Sequence, residues 1–185
     1  MRGFAATLGS AVALLLAAPA GASTNVLPNG SFEGSLSGWT TTGATLSRAA
    51  GGPDGAYFAR VRYSSGSSFS ILPKPRPVSS TAAGATYLAG AWVRSDRGGT
   101  RVCLRMREWS GSTLVGSAET CFAVSTSWQR FPSLSYTARG SRELDVYAYV
   151  WKPVTGDGFD LDGVTLGTQA ATEPAPPPPP PPPPP

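Results

Sequence analysis

The sequence predicts an all-β chain folded as a two-sheet jelly-roll β-sandwich, and three observations carry that prediction. Short segments alternate apolar and polar residues with the two-residue period of half-buried strands. Gly, Ser and Pro interrupt them at short intervals, and no window sustains a helical period. Seven or more strands at such spacing suit a sandwich or a jelly roll.

The strands are predicted, in order, over residues 57–63, 87–94, 101–109, 114–124, 128–136, 144–151 and 159–166. In the first, Tyr57, Ala59 and Val61 share one face and Arg60 and Arg62 the other. The segment 101–124 is a hairpin turning at Ser110-Gly111-Ser112-Thr113. An antiparallel register in which paired numbers sum to 224 sets Cys103 opposite Cys121 and Arg105 opposite Glu119, so two independent pairs agree. Directly opposed strand cysteines are close enough for a disulfide, and an exported chain meets an oxidising compartment. In that register Val102, Leu104 and Met106 face the core, and Cys103, Arg105, Arg107 and Trp109 face out. Residues 144–151 repeat the pattern, with Leu144, Val146, Ala148 and Val150 on one face and Asp145, Tyr147, Tyr149 and Trp151 on the other. Large rings left in water forgo roughly 1.5–3 kcal/mol of burial each, so an outward aromatic row calls for something to cover it.

Both ends of the 185-residue chain differ in composition from this middle. Residues 1–22 read as a secretory signal peptide: Arg2, a small and apolar run through Leu14-Leu15-Leu16, then Ala18-Pro19-Ala20 and Ala20-Gly21-Ala22. The apolar run is shorter than the ~20 residues a membrane span needs. Residues 23–168 form the sandwich domain, and 169–185 a proline-rich tail or linker expected to be an extended polyproline rod. Such a rod spaces modules, meets a wall or partner, or ends as a solvated tail. A missing downstream domain is one of these readings. The mature protein is expected to be secreted or held in the cell envelope, monomeric and not inserted in a membrane.

The chain has no histidine, which excludes Ser-His-Asp and Cys-His catalysis and imidazole zinc sites, and two cysteines cannot form a four-thiolate metal site. Fifteen Lys and Arg against eleven Asp and Glu give +4. That surplus, spread over the domain, lacks the basic stripe a phosphate backbone requires, so nucleic acid is not an expected partner.

Four separated motifs resemble the family 4/9 carbohydrate-binding modules, which are galactose-binding-like jelly rolls. The opening Asn25-Val26-Leu27-Pro28-Asn29-Gly30-Ser31-Phe32-Glu33 with Gly38-Trp39 is similar to their N-terminal signature. Gly52-Pro53-Asp54-Gly55-Ala56-Tyr57 is similar to a turn into a strand, and residues 87–93 with Ser127-Trp128-Gln129-Arg130-Phe131 to two middle strands. Phe159-Asp160-Leu161-Asp162-Gly163-Val164-Thr165-Leu166 is similar to the closing strand, except that Gly163 stands where the family often has a second Asp or Asn. The resemblance implies a structural calcium ion held by Glu33 and Asp162 carboxylates, the Ser31 backbone and carbonyls of the Pro53 to Ala56 turn, a donor set that suits a hard cation. It also implies a concave sheet made in part from the hairpin and from residues 144–151. Tyr147, Tyr149, Trp151 and Trp109 would then be stacking platforms, and Arg105, Arg107, Glu119 and Asp145 hydrogen-bonding groups. Trp39, Trp92 and Trp128 fall in the structural motifs and are expected in the core. Arg105 and Arg107 could instead clamp carboxylates, or Arg105 could simply pair with Glu119.

The leading function is therefore a secreted, non-catalytic module binding a polysaccharide, a β-glucan or xylan-like chain, through an aromatic cleft. A cell-envelope adhesion or structural domain is the alternative. A small glycoside-cleaving enzyme is a third class, since that chemistry needs only two carboxyl groups, but no acidic pair stands out at the end of a cleft strand.

Overall fold

The computed structural model describes residues 24–169; the signal-peptide and proline-tail readings fall outside them, save Gln169. The described chain is all-β. Its strands are β1 (Trp39–Thr42), β2 (Ala44–Ala50), β3 (Tyr57–Tyr63), β4 (Ser68–Pro73), β5 (Thr86–Ser95), β6 (Thr100–Ser110), β7 (Thr113–Val124), β8 (Gln129–Arg130), β9 (Leu134–Thr137), β10 (Glu143–Trp151) and β11 (Gly158–Thr168). Two antiparallel sheets pack face to face as a jelly-roll sandwich. The first runs β1-β4-β10-β6-β7, and the second β2-β3-β11-β5-β8, with β9 pairing β5 beside β8.

Each of the six segments predicted at 57–63, 87–94, 101–109, 114–124, 144–151 and 159–166 is a strand, lengthened by one or two residues at one or both ends in all but the first. The segment 128–136 is two strands, not one. Phe131 still donates its N–H to the Ala91 carbonyl at 3.0 Å, but Pro132 has no N–H to continue the ladder, and pairing resumes at Leu134. Strands β1, β2 and β4 are additions to the predicted set.

Alternation places the core. Leu144, Val146, Ala148 and Val150 from β10 and Val102, Leu104 and Met106 from β6 are all at most 4% exposed. They meet Ala59, Val61, Val93, Phe159, Leu161 and Leu166 of the other sheet. Phe69 of β4 stacks on Phe159 of β11 with centroids 5.5 Å apart, joining the sheets. The opening motif is tied to the closing strand: Asn25 Oδ1 accepts from the Leu27 and Leu166 amides at 3.1 and 3.0 Å, and Asn25 bridges Gly167.

The hairpin has the predicted register, with Cys103 opposite Cys121 and Arg105 opposite Glu119. The two cysteines form a disulfide, their Cα atoms 4.0 Å apart. Beyond Glu108 the register shifts by one through a bulge, so that Trp109 faces Leu114. Glu108 shares the inward face with Met106 and is fully buried. Its carboxylate is met by Thr81 Oγ1 at 3.0 Å, Tyr136 OH at 2.8 Å and the amides of Arg139 and Gly140 at 2.9 and 3.3 Å. Burial alone would raise its pKa, but the bonds from Tyr136, Thr81 and the two amides outweigh burial and hold it below the ordinary value. Gly116 makes this possible, because the Tyr136 hydroxyl passes where any larger residue would carry its Cβ.

Trp39 is buried as expected, 8% exposed, but Trp92 and Trp128 lie on the outer face of the second sheet rather than in the core. The reason is alternation: Ala91 and Val93 point inward, so Trp92 between them points outward, under the Arg130 guanidinium at 4.6 Å. Trp128 sits edge-on to Phe58 at 5.3 Å and beneath Arg94 at 4.6 Å. On the same face Asp160, 1% exposed, is shared by Arg60, Arg62 and Arg94 at 3.2, 3.0 and 3.0 Å.

Two stability predictions follow from these contacts. Replacing both Cys103 and Cys121 with Ala removes a cross-link with a sequence separation of 18 and should lower unfolding free energy by roughly 3 kcal/mol in urea titrations. Glu108→Gln turns one acceptor oxygen into a donor facing donors, and should cost about 1–3 kcal/mol. Because the folded pKa of Glu108 lies below 4.5, the stability it contributes is complete above that value and is lost as pH falls through the depressed folded pKa. Acid unfolding of the variant should therefore show a shallower pH dependence than that of the wild type.

Candidate carbohydrate-binding face

The outer face of the first sheet collects the predicted site residues. Pairing of β10 with β6 aligns Glu143, Asp145, Tyr147 and Tyr149 with Trp109, Arg107, Arg105 and Cys103. On the other flank β10 pairs with β4, setting Tyr149 beside Ser70 and Trp151 beside Ser68. Strand β1 continues the face with Thr42 and Thr40. The result is a sheet surface with hydroxyls on one shoulder, rings along the middle and arginines on the other.

Two hollows lie on it. One, of about 400 Å³, is lined by Ser68, Ser70, Arg105, Tyr147, Tyr149 and Trp151. The other, of about 570 Å³, is bounded by the Thr40–Thr42 segment, residues 72–76, Arg107, Trp109, Glu143 and Asp145. A third hollow, of about 200 Å³, lies against β5 and β11 and has no charged side chain in its lining. Seven of the eight predicted sugar-site residues thus line the two main hollows. Glu119 lines neither; it accepts from the Tyr149 hydroxyl at 2.8 Å.

Asp145 is the anchor of this surface. Although it faces outward it is only 2% exposed, because Arg107 donates to both of its oxygens at 2.9 and 2.8 Å and the Trp109 indole N–H adds a third bond at 3.2 Å. The Arg107 guanidinium then lies 3.9 Å over the Tyr147 ring and 4.9 Å over Trp109. Tyr147 stacks on Tyr149 with centroids 5.0 Å apart and planes 21° from parallel. Arg107 and Tyr149 lie to opposite sides of Tyr147 along β10, so both faces of that ring are occupied.

The rings therefore stand upright instead of lying as an open floor. Trp109 is also covered, by Arg76 at 4.5 Å as well as by Arg107. Trp151, 61% exposed, is the ring left free. Tyr149 has its pKa pushed up to about 12, first by burial and then by its bond to Glu119, so it stays a neutral donor. Sequence reasoning missed Ser68, Ser70, Thr40, Thr42, Lys74, Arg76 and Glu143. The polar positions of Ser-Phe-Ser-Ile-Leu-Pro between buried Phe69, Ile71 and Pro73 carried the signal for the serines.

The predicted calcium ligands lie at another edge. Glu33 Oε1 accepts from the amides of Ala56 and Tyr57 at 3.0 and 2.8 Å, which lowers its pKa. Asp162 Oδ2 accepts from the Asp54 amide at 2.9 Å, and Oδ1 from that of Gly163 at 2.7 Å. Asp162 is fully buried and, among the described residues, has no cationic partner; burial pushes its pKa up to about 6, with Asp54 and Glu33 adding like charge. Among the described residues no three His, Cys, Asp or Glu side chains gather as a metal-holding group. A cation here would rely on Asp162, Glu33 and carbonyls, a donor set suited to calcium. The Ala56 carbonyl already accepts from the Gly51 amide at 2.8 Å. Gly163 explains the missing second acid: its φ of 53° favours Gly, and a Cβ there would stand 3.0 Å from Asp54 Oδ2 and 3.1 Å from Trp92.

No family profile and no curated protein matches the sequence. Solved structures do match the fold. The CBM22-1 xylan-binding domain of Paenibacillus barcinonensis Xyn10C has a TM-score of 0.63 at 16% identity, the match covering 82% of this chain and 98% of that one. TmCBM61, solved in complex with β-1,4-galactotriose, has a TM-score of 0.54 at 18% identity over 80% and 100%. An arabinose-bound MgGH51 α-L-arabinofuranosidase has a TM-score of 0.63 at 13% identity over 82% of this chain, but the match spans only 27% of that enzyme. The bacteriophage CBA120 tailspike protein 4 enzymatically active domain is likewise matched over 21% of its length. The chain thus shares its jelly-roll sandwich with carbohydrate-binding modules that it matches over almost their whole length.

Proposed function

We propose that this domain binds a polysaccharide, a β-glucan or xylan-like chain, along the outer face of β4, β10 and β6, and does so without cleaving it. The observation that carries the reading is Trp151, an indole left 61% exposed at a hollow lined by Tyr149 and two serines. A sugar ring offers an apolar C–H face to the indole and hydroxyls to the serines. The fold shared with xylan- and galactotriose-binding modules supports it. Cleavage would need a carboxyl group free to give up a proton and a second to attack or activate water. Asp145 is spent on Arg107 and Trp109, and Glu143 is held by Arg76. Export by the N-terminal segment, action as a monomer and a calcium ion at Asp162 and Glu33 belong to the same proposal. The ion would neutralise the buried Asp162 and tie the opening segment to β11.

The face predicts an order of mutational effects. Trp151→Ala, which removes an exposed ring and leaves the core untouched, should weaken retardation in polysaccharide-containing gels by about tenfold or more, about 1.4 kcal/mol. Tyr147→Leu, at a ring whose faces are already covered, should cost less binding and more stability. Equal migration of Trp151→Ala and wild type in every matrix would remove this face from the account. For calcium, chelator should lower the melting temperature of wild type and leave Asp162→Asn unmoved; an unchanged wild-type melt removes the ion.

A further inference from the structure

The hollow beside Trp151 has one charged lining residue, the cation Arg105. Its Nη2 donates to Ser117 Oγ at 2.8 Å, its Nε is buried without a hydrogen-bond partner, and Nη1 has no partner among the described residues. Glu119 comes only to 3.9 Å of Nε, and its Oε2 already accepts from Tyr149. Arg105 is therefore held in place with donor capacity to spare. Along the same face each acid is engaged: Asp145 by Arg107 and Trp109, Glu143 by Arg76, and Glu119 by Tyr149. Lys74, in the neighbouring hollow, has no carboxylate partner among the described residues. The surface thus offers unspent donors carrying positive charge, while each of its carboxylates already has a partner on at least one oxygen.

We propose that the site selects acidic polysaccharides, chains bearing uronic-acid carboxylates, over neutral chains of the same backbone, with Arg105 as the residue that reads the carboxylate. This rests on the polysaccharide-binding reading above. A neutral hydroxyl can accept from Arg105, but a carboxylate brings an opposite charge and can take both Nη atoms of the guanidinium edge. The hydroxyls of Ser68 and Ser70 on the opposite wall leave the sugar's own hydroxyls satisfied without competing for the arginine. Lys74 attracts the next acidic unit along the chain, and its pull is screened by salt.

The test uses one glucuronoxylan in two forms, native and with its uronate carboxyls reduced to alcohols, titrated against the full chain by calorimetry. The wild type should bind the acidic form about tenfold tighter than the reduced form, with the ratio shrinking as ionic strength rises. Arg105→Gln should bring the ratio close to one, and Arg105→Lys should keep part of it. Glu119→Gln, which removes the opposing carboxylate yet still accepts from Tyr149, should widen it and serves also if Arg105→Gln does not fold. Equal wild-type affinity for the two forms overturns the carboxylate preference and leaves polysaccharide binding standing. A preference that survives Arg105→Gln overturns the assignment to Arg105. Binding to neither form, nor to any neutral polymer, overturns the underlying reading as well.

Discussion

The bidentate contact between Arg107 and Asp145 is the constraint on which the outer face of the first sheet depends. Burying a carboxylate costs several kcal/mol unless its lone pairs are filled, and here two guanidinium donors and an indole N–H fill them. A well-packed apolar pair could match it for stability. What an apolar pair lacks is direction. The plane of Arg107, fixed by both oxygens of Asp145, presents one surface to Trp109 and another to Tyr147, and Tyr147 passes that orientation to Tyr149. One ion pair between neighbouring strands thus ties Trp109 and Tyr147 into the scaffold, while Trp151, beside Ser68 at the end of β10, has no such contact. Loss of either partner would strand a buried charge, at about 3–5 kcal/mol, and let the row of rings tilt.

Much of this was legible in the sequence because the period of a strand is two. A slip of one residue would carry Arg105 and Arg107 into the core and Leu104 and Met106 into water, so the hairpin had a single register compatible with its apolar pattern. The opposed cysteines and the Arg105–Glu119 pair are consequences of that register. The same reasoning stopped at Glu108. Alternation puts it inside, yet nothing in the hairpin announces the Thr81, Tyr136 and backbone donors brought by distant segments. Nor does the hairpin reveal the bulge beyond Glu108, since Val115 and Gly116 look like any other turn-proximal residues. Trp92 and Trp128 were read as core from the motif around them, while the strand period, applied to Ala91 and Val93, pointed the other way. The orientation of the tyrosines was not legible, because the alternation of β10 gives only their face, whereas Arg107 over Tyr147 and Glu119 on the Tyr149 hydroxyl come from other strands.

The two outer faces of the sandwich show how similar residues lead to different chemistry. On the second sheet three arginines converge on Asp160, and Arg94 and Arg60 also cover Phe58. The carboxylate is saturated and the guanidiniums are spent on it or on the rings. That face also carries arginines and aromatics, but none of its described rings is as exposed as Trp151. On the first sheet the strands β4 and β1 bring small hydroxyl residues where the second sheet has arginine and tryptophan, and the space above Ser68 and Ser70 is what remains open. Residue size, more than charge, separates a braced surface from a receptive one.

Because inward and outward positions alternate, the scaffold and the ligand face are coded by interleaved residues that change independently. Phe69 and Ile71 must fill the space against Phe159, but Ser68 and Ser70 between them meet no such demand. A fold can then persist at 13–18% identity while the outer residues drift to different ligands, which is why function has to be argued from the site. In this chain the outer set is asymmetric. The shoulder of Ser68 and Ser70 can both give and take hydrogen bonds, whereas Arg105 on the facing shoulder can only give them. On the polysaccharide reading proposed above, a sugar stacked on Trp151 would meet serine hydroxyls on one flank and a donor-only guanidinium on the other, and that inequality is what would let the hollow tell the two edges of a glycan ring apart.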